Sequence, residues 1–237
     1  MEVVPGLHTL PGVGPGVNCF LWLPRPGSPG DEGPLLFDCG MPWSGAGLVA
    51  SLAELGCKPV DIRGIAITHD DIDHAGRLAS LQAVSGAAVI AHRWEGYRLA
   101  RDRWREPQHL AGPLRLAGWA LEHLSSRWPH HPVRVDRPVD DGEAVGGGWI
   151  AVHTPGHTPG HASYWHPSSG VLVAGDALGR HRNGRLRSPM ALFTEDSDEA
   201  ARSIRKLAGL DPEVIVFGHG PALYHAGSTL RQFASGL

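Results

Sequence analysis

The apolar positions of this chain come in short runs. Most are too brief for a helix and are closed by glycine, proline or a carboxylate, the pattern of strands separated by tight turns. Residues 2–10 and 17–23 read as two strands joined by a Gly/Pro-rich turn, residues 24–34 as a polar loop, and Leu35–Phe37 as a short buried strand that stops at Asp38-Cys39-Gly40. Over 46–56 the spacing of Leu48, Leu52 and Leu55 predicts a helix. Residues 62–67 predict a further strand, residues 75–85 a helix capped by Gly86, and Ala87–Ala91 another strand.

Residues 92–132 break this rhythm. They carry Trp94, Trp104, Trp119 and Trp128, many arginines and an interrupted helical pattern, and read as one or two helices inserted over the scaffold. The tryptophans are read first as packing residues, with a cover that could line a pocket. Short strands return over 133–152, followed by Trp149–His153, a loop at 154–160, and strands at 161–166 and 171–174. Residues 197–208 form the clearest helix: Asp198 and Glu199 in the first turn, Arg205 and Lys206 near the end, and one face of Ala201, Ile204, Leu207 and Ala208. Val214–Phe217 is the last strand. Strands lead and helices follow in each half, which suits two sheets packed face to face with helices outside.

At 237 residues, with 42% hydrophobic and 19% charged side chains, the chain is long enough to bury a sizeable core, and a single domain over 1–237 is expected. A net charge of −3 gives no electrostatic case for nucleic acid or an anionic membrane. No apolar run is long enough to span a bilayer, and the start, Met-Glu-Val-Val-Pro, lacks the basic and apolar regions of a signal peptide. The expected location is therefore cytoplasmic, which agrees with reading Cys19, Cys39 and Cys57 as free, buried thiols. The expected partner is a small-molecule substrate; a homodimer stays open.

Fifteen histidines are more than packing requires, and they direct attention to residues 68–76, Thr-His-Asp-Asp-Ile-Asp-His-Ala-Gly. Positions 69–74 hold two histidines and three aspartates between a strand and a helix. Imidazoles and carboxylates this dense would repel one another and lose solvation unless a cation sat between them, which is a metal-site arrangement.

The stretch resembles the His-x-His-x-Asp-His signature of the metallo-β-lactamase superfamily. His69, Asp73 and His74 match it, and Asp71 stands where the family usually has histidine. Four further stations match in order: Leu-Leu-Phe-Asp-Cys-Gly at 35–40, the Thr-Pro-Gly-His loop at 154–157, Ala-Gly-Asp at 174–176 and Gly-His-Gly at 218–220. The resemblance implies an α+β, four-layer αββα sandwich with the site at one edge between the sheets. It implies two divalent metal ions, zinc first and iron or manganese as alternatives. One ion would take His69, Asp71, His157 and Asp176, and the other Asp73, His74, Asp176 and His219, with Asp38 orienting a ligand histidine. Two ions about 3.5–4 Å apart would share a water and lower its pKa. The metal-bound hydroxide would attack an ester, lactone, thioester or related small acyl substrate. Asp73 would be the catalytic residue that orients the hydroxide and protonates the leaving group.

Asp71 changes the charge balance. Three carboxylates and a hydroxide neutralise two divalent ions, where a histidine at 71 would leave one positive charge. The first ion should be a weaker Lewis acid and the site should favour harder metals. A carboxylate here also resembles the flavodiiron branch, which implies a di-iron oxidoreductase with a flavin partner as the alternative. A non-catalytic metal-binding scaffold is the third reading. His153 and His161 are read as structural. Arg182, Arg185 and Arg187 follow Asp176 in a polar loop that could hold a substrate carboxylate. The chain ends 18 residues after His219, so the helical domain of glyoxalase II-type thioesterases is not expected, and a lactonase- or esterase-like enzyme is favoured.

Overall fold

The computed structural model describes residues 1–25, 27, 32–101 and 130–237. One sheet has seven strands in sequential order: β1 (Glu2–Val4), β2 (Leu7–Leu10), β3 (Cys19–Trp22), β4 (Leu35–Phe37), β5 (Gly64–Ala66), β6 (Ala88–His92) and β7 (Arg137–Val139). The other is built from β8 (Ala144–Gly146), β9 (Trp149–His153), β10 (Ala162–His166), β11 (Val171–Val173), β14 (Val214–Val216) and β15 (Leu223–Tyr224). A hairpin of β12 (Gly179–Arg180) and β13 (Leu186–Arg187) stands apart. The helices are α1 (Gly45–Glu54), α2 (Ile72–Ala75), α3 (Leu78–Ser85), α4 (Arg93–Leu99), α5 (Ser197–Ala208) and α6 (Ala226–Ser235).

Side-chain alternation builds the layers. Phe20, Leu35, Phe37, Ala66 and Ile90 point from the first sheet toward Trp149, Tyr164, Val171, Val173, Val214 and Val216 of the second. The residues between them face outward. Leu21, Leu36, Ile65 and Val89 pack with Leu48, Leu52, Leu78 and Leu81 of the helices, while Leu172 and Ile215 pack with Ile204, Leu207 and Leu230. Strands covered on both faces must be apolar at every position, which is why β4, β5, β11 and β14 read as continuous apolar runs. The result is the expected αββα sandwich.

The structure corrects several boundaries. Residues 2–10 are not one strand: Gly6, at φ 90°, turns β1 back onto β2. The helix expected at 75–85 begins earlier as α2, inside the motif, so Asp73 and His74 are themselves helical; α3 then starts afresh at Leu78. In α5 the buried small residue is Ala200 rather than Ala201, because the covered face runs through Ser203, Ile204, Leu207 and Ala208. Trp94 is 57% exposed and is not a packing residue. Trp104, Trp119 and Trp128 lie outside the described residues, so of the cover expected over 92–132 only α4 and its flanks are described. No helix among the described residues is long and apolar enough to cross a membrane.

Strands β4, β5 and β6 run parallel, as do β11 and β14. Asp38, His69, Asp176 and His219 therefore follow the ends of strands at one edge of the sandwich, and the β9–β10 connection brings His157 to the same edge.

Candidate metal centre

All seven predicted ligands come together there. Their donor atoms form three overlapping groups, each within 4.8 Å: His69, Asp71 and His157; His69, His74 and Asp176; and Asp73, His74 and His219. Asp71 Oδ2 lies 3.5 Å from His69 Nε2 and 3.2 Å from His157 Nε2, so the aspartate that departs from the related motif points into the first group. Asp73 Oδ2 lies 3.7 Å from His74 Nε2 and 3.2 Å from His219 Nε2. Asp176 stands between the groups, with Oδ1 3.6 Å from His74 Nε2, and Oδ2 3.3 Å from His219 Nε2 and 4.0 Å from His157 Nε2.

The outward nitrogens fix the four rings. The Thr68 hydroxyl lies 2.9 Å from Asp38 Oδ2 and donates to it, so Thr68 Oγ1 is left to accept from His69 Nδ1 at 2.9 Å. His74 Nδ1 donates to Asp38 Oδ2 at 2.8 Å, and His219 Nδ1 to the Gly16 carbonyl at 2.8 Å. His157 Nδ1 faces the Thr194 hydroxyl at 3.5 Å. All four rings thus turn Nε2 inward, as metal-ligating imidazoles do when their other nitrogen donates to a carboxylate or carbonyl. Asp38 has the orienting role expected of it, and serves two rings: His74 directly and His69 through Thr68. It sits in a left-handed backbone conformation, φ 57°, at the end of β4.

Three atoms test whether a cation fits. His69 Nε2, His74 Nε2 and Asp176 Oδ1 are buried and meet no hydrogen-bond partner among the described residues. Leaving such groups unsatisfied costs about 1–3 kcal/mol each. They face one another, and the donor set of imidazole nitrogens and carboxylate oxygens suits a divalent ion. Gly218 belongs to this fit, because a Cβ there would overlap Asp176 Oδ1 and His74 Cε1.

Without a metal, protons supply the missing positive charge. Burial disfavours a charged His74, but Asp73, Asp38 and Asp176 outweigh it and raise the group to about 9. His219 rises to about 11 against burial, through hydrogen bonds to Asp176 and Asp73 and their charges. Asp176 is also opposed by burial, yet His74, His219 and His157 hold it well below the usual carboxylate range. His69 goes the other way: burial, helped by the neighbouring His74, lowers it.

Other histidines take the structural roles expected of them. His161 Nε2 accepts the Asp176 backbone N–H at 3.0 Å and its Nδ1 donates to Thr154 Oγ1 at 2.8 Å, so it holds Asp176 from behind. His153 stacks on His92 at 3.8 Å. The arginine-rich loop forms the β12–β13 hairpin. Its Arg180 N–H donates to the His219 carbonyl at 3.3 Å, and Arg182 and Arg185 are exposed.

Sequence reading missed two supports. Asn18 Nδ2 donates to the carbonyls of Phe217 (2.9 Å) and Gly220 (2.8 Å), on both sides of His219. The buried Asp70, Glu95 and Arg98, with the partly exposed Glu195, form an ion-paired network behind the first group. Asp70 stood in the motif, but nothing in the local pattern marks Glu95, Arg98 or Asn18 as buried partners of loops far away in sequence.

A family profile for the metallo-β-lactamase superfamily matches residues 14–219. A probable metallo-hydrolase of Bacillus subtilis, YflN, is 31% identical over 201 residues, covering 78% of this chain and 75% of that protein. The crystal structure of a metallo-β-lactamase family protein of Thermus thermophilus, TTHA1429, superposes with a TM-score of 0.73 at 28% identity, over 99% of this chain and 80% of the other. The structure of TTHA1623 in a di-iron-bound form superposes with a TM-score of 0.66 at 26% identity, over 92% and 94%. With its αββα layers, its five stations at one edge and this family match, the chain belongs to the metallo-β-lactamase superfamily.

Proposed function

We propose that this chain is a two-metal hydrolase of a small acyl substrate: an ester, lactone or thioester. The observation that carries the reading is the convergence of His69, Asp71, Asp73, His74, His157, Asp176 and His219, in which His69 Nε2, His74 Nε2 and Asp176 Oδ1 are buried without a hydrogen-bond partner among the described residues. His69, Asp71 and His157 would hold one ion, Asp73, His74 and His219 the other, and Asp176 would serve both. Bound ions would make a water acidic enough to act at neutral pH and would polarise the acyl oxygen. Asp73 lies on the more open side of the site, with a side chain 20% exposed. Its carboxylate is suited to align the attacking water, take its proton and deliver it to the leaving oxygen or sulfur. The exposed Arg182 and Arg185 of the hairpin tied to His219 favour substrates that carry an anionic group.

The test strips the protein with a chelator and assays aryl esters, lactones and thioesters before and after reloading with zinc, manganese or ferrous iron. Turnover that vanishes on stripping and returns with metal supports the reading. Metal bound at two per chain with no turnover of any acyl substrate points to a binding scaffold instead. A second reading has its own support in the Asp71 carboxylate and the di-iron-bound relative: an oxidoreductase working with a separate flavin partner. Iron-loaded protein that consumes oxygen or nitric oxide when supplied with reduced flavin, and hydrolyses nothing, would favour it.

A further inference from the structure

The charged network behind the first group is not used by the proposed chemistry. Glu95 and Arg98 lie one turn apart on α4, Glu95 fully buried and Arg98 8% exposed. Glu95 Oε1 accepts the Asp70 backbone N–H at 2.7 Å, and Oε2 accepts the Thr158 hydroxyl at 3.0 Å. Asp70 separates His69 from Asp71, and Thr158 follows His157. Arg98 repeats the pattern with charge. Its Nε donates to Asp70 Oδ1 at 3.1 Å and its Nη2 lies 3.0 Å from Glu195 Oε1, while the Glu195 backbone N–H donates to the His157 carbonyl at 3.2 Å. A single helical turn therefore grips both loops that deliver His69, Asp71 and His157.

The grip is close and costly. A Cβ at Gly160 would overlap the backbone nitrogen and carboxylate of Glu95, so only glycine lets α4 sit this near the His157 loop. One guanidinium serves three carboxyl groups, Asp70 and Glu95 buried and Glu195 partly exposed, and burial and the neighbouring Asp70 push Glu95 well above the usual carboxylate range. A cluster of this kind is seldom worth more to stability than apolar side chains of the same volume. What it supplies is direction: three hydrogen bonds and an ion pair that fix two loops against each other. In the group of Asp73, His74 and His219, Asp38 holds His74, but no such network holds the His219 loop among the described residues; Asn18 holds that loop with neutral hydrogen bonds to Phe217 and Gly220.

We propose that Glu95 and Arg98 are positioning residues for the first ion, drawing the 69–71 and 157–158 loops together so that Asp71, a shorter side chain than histidine, reaches it. The proposal rests on the two-metal reading and names what sets the affinity of its first site. Outer partners of metal ligands typically change affinity by about 10–100-fold. Stripped full-length protein is titrated with zinc alone against a chromophoric chelator, and zinc occupancy is located by anomalous diffraction.

Wild-type protein should take two zinc ions. Glu95→Leu and Arg98→Met should each weaken the first by ~10–100-fold and leave the second within about twofold. Glu95→Gln, which keeps an acceptor for the Asp70 N–H, should lose least. Adding Asp71→His to Glu95→Leu should recover the first site, since a longer ligand no longer needs the grip. If Glu95→Leu does not fold, Thr158→Val, which removes a single hydroxyl from the grip, and Arg98→Met carry the same comparison. The proposal is overturned if both ions weaken alike, if neither changes, or if Asp71→His restores nothing. Wild-type protein that takes up no ion sinks the two-metal reading itself, a result distinct from each of these.

Discussion

The two halves of the candidate metal centre present the same kinds of donor and are supported in different ways. In the first, the side chains of His69 and His157 are 0% and 2% exposed, and buried charges on α4 hold their loops. In the second, the His219 side chain is 27% exposed and its loop is held by neutral contacts from the 16–18 segment. Asp38 links them by orienting His69 through Thr68 and His74 directly, and Asp176 faces both. The difference teaches that similar donor sets can differ in how rigidly they are presented. On the proposed reading, the ties between its loops are what would let the buried half use an unusual ligand, Asp71. The open half keeps an exposed side where a substrate can enter.

Asp176→Ala should have the largest effect, since it removes the one carboxylate among the described residues that faces both groups. Acyl hydrolysis should fall by ~10³-fold and zinc uptake should weaken at both positions. Uptake of two tight ions by that variant would show that Asp176 does not join the halves. Next comes Asp38→Ala, which strips the outer partner from two rings at once. A loss of ~10–100-fold in affinity is expected at both ions, and an effect confined to one would break the link drawn through Thr68. Asn18→Ala should be milder and one-sided, weakening only the second ion by about tenfold; if chelator titration finds the first ion affected instead, the division of supports is wrong.

The smallest effect is in protons. At pH 7 the metal-free chain carries charged His74 and His219, raised to about 9 and about 11. Ligand imidazoles must be neutral, so loading zinc should release close to two protons, both from the second half. Calorimetry in buffers of different ionisation enthalpy measures this, and release near zero would count against the charge state assigned here. The sign for stability follows from the same shifts. Both values lie above the ordinary 6.5, so these two groups stabilise the metal-free fold fully below pH 6.5. That contribution is lost as the pH climbs through 9 toward 11. The melting temperature of stripped protein should therefore fall over that range, and zinc-loaded protein should not show the loss.

The chain's own order of residues determined the layers and the donors. Short apolar runs covered on both faces can only be inner strands, and five polar stations, each closing such a run, mark one sheet edge; this made α5, β4 and β9 and all seven candidate ligands legible. The motif also showed that residue 71 was a carboxylate, which is a matter of identity and needs no coordinates. What the sequence could not supply was the aim of Asp71, the two rings shared by Asp38, and the grip of Glu95, Arg98 and Asn18. These depend on contacts between segments 25 to about 200 residues apart, where local periodicity carries no information. A buried glutamate and arginine on a short helix have the same spacing as a solvated pair on a surface. Only packing α4 against the His69 and His157 loops decided that their charge would be turned inward.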